Sequence, residues 1–412
     1  MHILFLSDNY PPEVNAPASR TFEHCREWVN GGDQVTIITG NPNFPKGKIF
    51  PGYRNRLVQK EKISGINVIR VWTYIAENKG FTKRTLDYLS FMVSSFIACF
   101  FVRKVDLIIG TSPQFFTAVS AWGCSLFKRA PFVFELRDLW PESIKAVGAL
   151  KNSNFVRLFE ALELFLYRRA FRIVSVTRSF KNNLVQRGIN ADKIIVVTNG
   201  VDLNRFFHRA KNEDLVKQLG LKDCFVAGYI GTHGMAHSLE TLLYAMSKLR
   251  DHPCGKKIRL VLLGDGARKR FLKEEAKKLN LTNVIFIDTV SKEMVSDYWS
   301  ILDTSIIHLK KTELFKTVIP SKLFECMGMG LPILHGVEGE SADIVAEANC
   351  GVLFEPENVD QLIEKLMYLQ SEPAFLLSLG RNALESAKKY ERTHLARQML
   401  DGLNLHKEDQ NT

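Results

Sequence analysis

The feature of this sequence that most restricts its fold is a regular alternation of short β-rich runs with segments of helical length. Parallel strands need long crossover connections, so this alternation is typical of a parallel sheet with helices on both faces. The runs of the first series, several of which end in turn-forming residues, are HILFLSD, QVTIITG, DLIIGTSP, FVFELRD, RIVSVT and IIVVTNG. This series reaches Gly200, and VDLNRFFHRAKNED then reads as a connector.

A second alternating series follows the connector: FVAGYIG, IRLVLLGDG, NVIFIDTV, TSIIHLK, LPILHG and GVLFEP. At about 150 residues per domain, the 412 residues correspond to two or three domains. We therefore predict an α/β fold with two Rossmann-like, doubly wound domains, 1–204 and 205–387, and a C-terminal helix, 388–412, that joins the first. Ligands of such sheets bind at the carboxyl ends of the strands, so two facing domains predict an interdomain cleft.

Positive charge is concentrated in the first half of the chain. Residues 1–200 hold 27 Lys and Arg against 15 Asp and Glu, a net charge of +12, whereas the remainder holds 28 against 29, a net charge of −1. Nucleic acid, an anionic membrane surface, a phosphorylated substrate or simple solubility would each explain such a surface. No RNP, zinc-finger or helix-turn-helix signature accompanies the charge, so we expect no nucleic-acid partner.

The cysteines argue against both a disulfide framework and a zinc site. There are seven, widely scattered and without a CxxC pair, which fits a reducing compartment. The first residues lack a charged region followed by an apolar one, so we expect no signal peptide and a cytoplasmic location.

One apolar segment, LDYLSFMVSSFIACFFVRK at 86–104, is compatible with membrane contact. It is apolar from Leu89 to Val102 apart from three serines, and these about 14 residues are fewer than the ~20 that span a bilayer. A core helix and a helix lying at the membrane interface both fit this pattern. The basic residues that flank it at both ends, as at a lipid headgroup surface, are Lys83, Arg84, Arg103 and Lys104.

The stretch PSKLFECMGMGLPIL, 320–334, places a Lys and a Glu in apolar surroundings. Ser321 is a good N-cap residue, which puts Lys322 at the first helical position. A cation there opposes the helix dipole, whose N-terminal end is already positive. We therefore expect a ligand to bring an anion to Lys322. Glu325 follows three residues later, and an ordinary solvent-facing helix residue is the alternative interpretation of it.

Two further loops follow strands in the second series. They are YIGTHGMAHS, 229–238, and LLGDGA, 262–267. Glycine-rich turns that enter helices offer backbone N–H groups to phosphate, although most such turns only join elements. Neither a P-loop nor a GxGxxG motif occurs, which disfavours nucleoside triphosphates and Rossmann dinucleotides.

Six motifs in a fixed order point to a family. They are NYPPEVNAPASR, ELRDLWPES, NGVD, GTHGMAHSLE, IPSKLFECMGMGLPIL and GVEGES. Together they resemble the retaining glycosyltransferases of family GT4, which have the GT-B fold. The resemblance covers nearly the whole chain and is greatest to the subgroup that builds bacterial surface polysaccharides, including transferases of L-fucosamine.

The resemblance implies that the second domain binds a nucleoside diphosphate sugar and the first binds the acceptor. Lys322 and the helix N-terminus at Ser321 would neutralise the donor diphosphate, and Glu325 would accept hydrogen bonds from the ribose hydroxyls. For His237, a capping role at a helix start is the alternative. The remaining positions assigned to the donor are Gly231, Thr232, His233, His237, Thr289, Val290 and Pro320.

In the first domain, Arg137 and Asp138 follow an apolar run, so they lie at the carboxyl end of a strand, and Glu135 shares the side of Arg137. We assign a catalytic role to Arg137, Asp138 and Lys322. An Arg–Asp pair that only closes a turn is the alternative. The residues expected on the acceptor or phosphate side, in the loop and helix start after the first strand, are Asn15, Ala16 and Arg20.

Two departures from the family pattern bear on the mechanism. The family usually has two glutamates separated by seven residues, and counting back from Glu325 puts Thr317 at the first position. Glu338 and Glu340 are the candidates to replace it. The usual Arg…Lys phosphate clamp is also absent, since Thr232, His233 and His237 occupy that loop.

We predict transfer of a sugar from a nucleoside diphosphate donor, a UDP-hexose or UDP-N-acetylhexosamine, to a lipid-linked saccharide at the inner face of the plasma membrane, where the enzyme is peripherally bound. There is no DxD motif and no His/Cys cluster, so no metal or cofactor is implied. The resemblance implies retention by front-face attack, with the donor phosphate taking the acceptor proton. The alternative is a non-catalytic nucleotide-sugar binder, hydrolase or epimerase.

Overall fold

A computed structural model describes residues 1–44, 47–75, 81–139, 153–291 and 293–403, without the side chains of 81, 82, 153–155 and 254. The chain divides into two compact units. The first combines Met1–Thr198 with Arg392–Thr412, and the second is Asn199–Glu391. The sequence prediction placed these boundaries at 204/205 and 387/388.

An eight-stranded sheet forms the centre of the first unit. Its strands, in chain order, are β1 (His2–Leu6), β2 (Gln34–Thr39), β3 (Val58–Ile63), β4 (Ile66–Val71), β5 (Leu107–Thr111), β6 (Phe132–Leu136), β7 (Arg172–Ser175) and β8 (Ile194–Val196). The order across the sheet is β3-β4-β2-β1-β5-β6-β7-β8, and every pair is parallel except the hairpin β3–β4 at one edge. Strands β1, β5 and β6 are buried along their whole length, as expected for parallel strands covered on both faces.

The helices of this unit are α1 (Ala16–Asn30), α2 (Phe81–Cys99), α3 (Phe115–Lys128), α4 (Ser153–Arg169) and α5 (Arg178–Gln186). Helix α1 begins where its sequence predicts, because Asn15 is the N-cap and accepts a hydrogen bond from the backbone N–H of Ala18, 2.9 Å away. In the part of the chain that the structure describes, no helix is long and apolar enough to cross a membrane.

The second unit contains a fully parallel six-stranded sheet in the order β11-β10-β9-β12-β13-β14. Its strands are β9 (Phe225–Ile230), β10 (Ile258–Leu263), β11 (Val284–Ile287), β12 (Thr304–His308), β13 (Ile333–Gly336) and β14 (Gly351–Leu353). Its helices are α6 (Glu213–Gln218), α7 (Glu240–Asp251), α8 (Lys269–Lys278), α9 (Val295–Ser300), α10 (Lys322–Met329), α11 (Glu340–Glu347), α12 (Val359–Ser371) and α13 (Pro373–Ala387). The predicted α/β class with two doubly wound units is thereby confirmed.

The last helix, α14 (Arg392–Gly402), returns to the first unit. It packs against α1, where the indole N–H of Trp28 donates to the carbonyl oxygen of Ala396 at 2.8 Å. Arg392 forms a buried ion pair with Glu23 in the same contact. These contacts explain why the chain ends in the unit in which it begins.

Candidate functional site

Two glycine loops lie at neighbouring strand ends of the second unit, one after β9 and one after β10. The N–H of Gly231 donates to the carbonyl oxygen of Leu263, and that of His233 donates to the carbonyl oxygen of Asp265, both at 2.9 Å. Gly264 has a φ of +141°, and a Cβ there would overlap the carbonyl oxygen of Gly231. The loops therefore interlock through backbone that only glycine permits, which makes them one rigid surface.

Lys322 begins helix α10 beside this surface. Its ammonium Nζ lies 3.4 Å from the centre of the Tyr229 ring, and a Cβ on Gly231 would lie 2.8 Å from it. The Nζ is buried and has no hydrogen-bond partner among the described residues. Burial lowers the pKa of Lys322 to about 7, against the opposing effect of the neighbouring Cys326 and Glu325. A buried cation without a hydrogen-bond partner favours the binding of an anion.

The start of α10 differs from its prediction in one respect. Lys322 is the first helical residue as predicted, but Ser321 makes no side-chain cap. Its φ and ψ of −58° and −29° are already helical, so its hydroxyl is not placed as an N-cap hydroxyl would be. Backbone bonds close the first turn instead, from the N–H of Leu323 to Pro320 and from that of Phe324 to Ser321. The positive end of the helix dipole remains beside the Lys322 ammonium.

The imidazoles of His233 and His237 lie within the electrostatic influence of Lys322, and both are uncharged at neutral pH. Burial lowers the pKa of His233 to about 4 and that of His237 to about 3, and the charge of Lys322 adds to both shifts. His233 is fully buried, and its backbone N–H and C=O are both engaged within the glycine loops. Neither ring nitrogen of His233 has a hydrogen-bond partner among the described residues, and the donor contact of His233 stays a prediction. The carbonyl oxygen of His237 accepts a 2.8 Å hydrogen bond from the imidazole of His308 and not from a helix N–H group.

The other predicted donor positions lie at strand ends of the same sheet. Thr232 is exposed, and its carbonyl oxygen accepts a 2.8 Å hydrogen bond from the hydroxyl of Tyr229. Thr289 is exposed and Val290 half-buried directly after β11, two strands from β9. Pro320 and Glu325 are half-buried at α10, and the ribose contact of Glu325 stays a prediction.

Sequence reasoning missed a second buried lysine that organises this edge. Lys269, at the start of α8, donates to the carbonyl oxygens of Gly264 and Ile287 at 2.6 and 3.1 Å and to Asp288 at 2.5 Å. It therefore ties the end of β10 to the end of β11. The signal available in the sequence was the basic helix that follows the GDG turn, in which Lys269 is the third residue after the turn, but nothing in that pattern shows that the side chain turns inward.

Thr317, at the position of the missing glutamate, lies in a 3₁₀ turn, Leu314–Thr317, and its hydroxyl donates to the carbonyl oxygen of Leu314 at 2.7 Å. Gly339, with a φ of +78°, packs so closely on this turn that a Cβ would overlap the carbonyl oxygen of Lys316. The Lys316 ammonium lies 3.5 Å from Glu338. The structure thus brings Glu338 next to the turn that carries Thr317.

In the first unit, Arg137 and Asp138 follow β6 as predicted. Their backbone N–H groups both donate to the hydroxyl of Ser112, at 2.8 and 3.3 Å, so a serine that the sequence analysis did not select fixes this loop. The guanidinium of Arg137 donates to the carbonyl oxygen of Pro17 at 3.3 Å. Burial lowers the pKa of Arg137 to about 10, which leaves it charged at neutral pH.

Arg20 and Asn15 both form hydrogen bonds within the first unit. Arg20 is 3% exposed and donates to Glu135 at 2.9 Å and to the carbonyl oxygens of Val197 and Thr198. Asn15 caps α1, and its amide also donates to Asn9. The assignment of this loop and helix start to the acceptor or phosphate side stays a prediction. Ala16 is exposed at the first position of α1.

A surface of exposed apolar side chains lies at one end of α2. We call it the apolar tip: Val93, Ile97, Phe100, Phe101, Leu126 and Phe127, each 46–64% exposed. The rings of Phe100 and Phe127 lie 4.1 Å apart, which joins the α2 side to α3. The other face of α2 is buried, as the core-helix interpretation predicts, and contact of the exposed face with a membrane stays a prediction. Exposed Arg103, Lys104 and Arg129 border the tip, whereas Lys83 and Arg84 lie at the far end of α2.

Both units match known glycosyltransferase families. Residues 18–205 match the model described as Glycosyltransferase Family 4, and residues 210–386 match that described as Glycosyl transferases group 1. WcaI of Escherichia coli K12, named as a glycosyl transferase of colanic acid biosynthesis, is 27% identical over 384 residues, which are 88% of this chain and 90% of that protein.

Solved structures show the same fold at low sequence identity. Sucrose-phosphate synthase of Thermosynechococcus elongatus is 16% identical with a TM-score of 0.76, and the alignment covers 97% of each chain. HepE of Anabaena, solved with UDP and glucose, is 17% identical with a TM-score of 0.72, and the alignment covers 97% of this chain and 98% of HepE.

Proposed function

Since this chain is a GT-B glycosyltransferase with a family 4 unit and a group 1 unit, we propose that it transfers a sugar from a nucleoside diphosphate donor to a lipid-linked saccharide. The donor is a UDP-hexose or UDP-N-acetylhexosamine, and the product belongs to a bacterial polysaccharide. WcaI, named for colanic acid biosynthesis, and HepE, solved with UDP and glucose, support these choices. L-fucosamine is the specific sugar that the sequence resemblance suggests.

One observation carries the proposal: the buried ammonium of Lys322 has no hydrogen-bond partner among the described residues and lies at a helix N-terminus beside Gly231. A buried charge is costly without a partner, and a diphosphate supplies one. Glu325, one turn further along α10, has two carboxylate oxygens for the two ribose hydroxyls. The same helix thus offers a cation to the phosphates and an anion to the sugar.

The chemistry assigned to this site is stabilisation of the leaving nucleoside diphosphate. Charge on the departing phosphate grows in the transition state, and a cation and a helix dipole already in place stabilise it without reorganisation. Lys322 and the start of α10 provide both. We propose that these groups suffice without a metal ion, that the configuration at the sugar is retained by front-face attack, and that Arg137 and Asp138 act on the acceptor side.

The apolar tip supports a peripheral position on the inner face of the plasma membrane. Its aromatic and aliphatic side chains would enter the acyl boundary, and Arg103, Lys104 and Arg129 would meet anionic headgroups. A lipid-linked acceptor would then stay in the bilayer while its saccharide reaches the enzyme.

Thr317 favours a second candidate function. It stands where the family usually has a carboxylate, which is consistent with a protein that binds nucleotide sugars and either hydrolyses them or does not turn them over. Glu338, held next to Thr317 by the Gly339 contact, is the residue that would restore a carboxylate for transfer.

The test is a panel of nucleotide sugars screened by thermal shift, followed by turnover with the best binder. Wild-type protein, lipid-linked saccharide acceptors and radiolabelled donor are combined, and label in the lipid phase is counted beside free sugar. Transfer to lipid is the expected result. Release of free sugar at the same rate with and without acceptor would establish the hydrolase, and binding without either product would establish the non-catalytic binder.

A further inference from the structure

Tyr229 lies at the centre of the site but carries no predicted role. It is the fifth residue of β9, and its side chain is fully buried. The ring faces the Lys322 ammonium at 3.4 Å, and the hydroxyl donates to the carbonyl oxygen of Thr232 at 2.8 Å. The imidazoles of His233 and His237 lie 6.1 and 5.7 Å from the same ring. One side chain therefore contacts the cation, the loop and both histidines.

The ring takes the place that water or a carboxylate usually has around an ammonium. A cation over an aromatic face is attracted by the negative face of the ring, and this attraction is strongest when the pair is desolvated. In the described part of the chain, the Nζ of Lys322 has no hydrogen-bond partner, and it lies 3.4 Å from the centre of the Tyr229 ring. Gly231 leaves the space that the ammonium occupies, since a Cβ would lie 2.8 Å from Nζ.

We propose that Tyr229 is a positioning residue for the donor diphosphate: its ring holds the Lys322 ammonium beside Gly231, and its hydroxyl holds the Thr232 carbonyl. The inference rests on the proposed function, in which Lys322 receives the phosphates. It adds that cation and loop are placed together by one side chain before the donor arrives. The donor then meets a site that needs little rearrangement.

The proposal makes donor binding depend on pH in a defined direction. The charged and titratable groups around the Lys322 ammonium are Glu325 and Cys326 on α10, and His233 and His237 from the loop after β9. Burial lowers the pKa of Lys322 to about 7, and a bound diphosphate raises it again. Above pH 7 the free protein loses the proton that the complex keeps, so affinity falls as pH rises.

The first experiment measures the pKa of Lys322 directly, without a ligand. Lysine is labelled with ¹³C at Cε, the Lys322 signal is assigned from its absence in Lys322→Met, and wild type, Tyr229→Phe and Tyr229→Leu are titrated. Removing the ring should lower the pKa by about one unit, since a desolvated cation–π contact contributes about that much. Tyr229→Phe keeps the ring and should stay within a few tenths of a unit of the wild type.

A matched control and a second observable keep this test decisive. Tyr298→Leu removes a buried tyrosine from the other core cluster of the same unit and should leave the Lys322 pKa unchanged. In the wild type, the ring current of Tyr229 should shift the Lys322 ε-protons upfield. This measurement needs no Tyr229 variant, so it stands even where Tyr229→Leu does not fold. A normal ε-proton shift, or an unchanged pKa in folded Tyr229→Leu, would overturn the proposal.

The second experiment measures affinity for UDP-glucose by calorimetry at pH 6.5 and 8.5. The diphosphate of UDP-glucose is esterified at both ends and stays ionised over this pH range, whereas a terminal phosphate titrates near pH 6. Tyr229→Leu should lose about tenfold in affinity at pH 8.5 but only about threefold at pH 6.5, because a Lys322 pKa lowered by about one unit leaves fewer protonated molecules at the higher pH. Tyr229→Phe should weaken binding about two- to tenfold equally at both pH values. Equal losses for Tyr229→Leu at both pH values would count against positioning. If wild-type protein binds no nucleotide sugar, the proposed function fails while the titration still decides the role of Tyr229.

Discussion

Arg20 in the first unit and Lys322 in the second are both basic residues in the first turns of a helix, yet the structure treats them in opposite ways. The guanidinium of Arg20 donates hydrogen bonds to Glu135 and to two backbone carbonyl oxygens, all within the first unit. Lys322 instead rests on an aromatic ring, with no hydrogen-bond partner among the residues described. A buried cation with partners holds a fold together, whereas one without partners is placed for a ligand.

The carboxylate beside Arg20 shows the same difference. Burial by itself raises the pKa of Glu135, but the charges of Arg20 and Arg137 more than offset it, so the pKa lies below its ordinary value. The charge of Glu135 is thus compensated by cations of the same unit. The pKa of Lys322 moves toward neutrality because its neighbours do not compensate its burial. We therefore expect replacement of Arg20 and replacement of Lys322 to have opposite effects on stability and on ligand binding.

The largest effect is expected at Arg20. Arg20→Met should destabilise the protein by about 3–5 kcal/mol, because it leaves Glu135 buried without its cation. Denaturant unfolding followed by circular dichroism measures the change. Arg26→Met, a half-buried arginine on the same helix, serves as the control and should cost much less. A loss below about 1 kcal/mol would show that the buried ion pair is not what holds this region.

Lys322→Met should lower ligand affinity without lowering stability. It should weaken UDP binding by about 1.5–3 kcal/mol, the range for hydrogen bonds to charged groups, while Tm stays level or rises. The stability follows from the sign of the shift: a pKa below the unfolded value means that the unfolded state binds more protons above pH 7, so the buried ammonium costs most at low pH. Calorimetry and thermal unfolding check both. Glu325→Gln should weaken UDP binding without this gain in stability, and wild-type affinity in both variants would remove the donor assignment.

Asp138 offers a test of the first unit's chemistry. Asp138→Asn should lower kcat by about ten- to 100-fold and leave UDP affinity unchanged, because its proposed role lies in the transition state. Steady-state kinetics and calorimetry on the same preparation separate the two quantities. A kcat equal to that of the wild type would make Arg137 and Asp138 the turn-closing pair of the alternative interpretation.

A smaller effect is expected at the apolar tip. Arg103→Gln, Lys104→Gln and Arg129→Gln should each lower partitioning onto anionic vesicles about fivefold at low salt, with little binding left at ~1 M salt. Lys83→Gln is the matched control, since Lys83 lies about 24 Å by the helical rise from Cys99, the end of α2 that is nearest to Arg103 and Lys104. An equal loss in Lys83→Gln would mean that α2 lies flat on the surface. A protein that ignores anionic vesicles at every salt concentration would point to a soluble acceptor.

The smallest expected effect is that of chelation. Turnover should survive excess EDTA, because Lys322 and the start of α10 carry the charge that a metal carries in other transferases. The measurement is the transfer rate before and after chelation. Abolition by EDTA with rescue by Mg²⁺ or Mn²⁺ would direct attention to Glu338 and Glu340.

The sequence determined the fold class, the two units and the first helical residue of α10, because each follows from local signals: alternation of apolar runs, crossover length, and glycine and cap residues around short helices. The resemblance to a family was likewise enough to predict a glycosyltransferase, which the family matches confirm. The sugar and the lipid-linked acceptor stay predictions, since they depend on parts of the site that no motif specifies.

Only the tertiary structure decided what each polar residue in those motifs does. Arg20 turned out to be an internal ion-pair partner, Asn15 a cap and His233 a buried neutral ring, whereas the buried Lys322 Nζ has no hydrogen-bond partner among the described residues. Tyr229 and Ser112 gained roles that their sequence neighbours do not suggest. The physical reason is that local patterns set the backbone, while burial and the partners of a charge depend on residues far away in the chain, such as Thr198 for Arg20 and Tyr229 for Lys322.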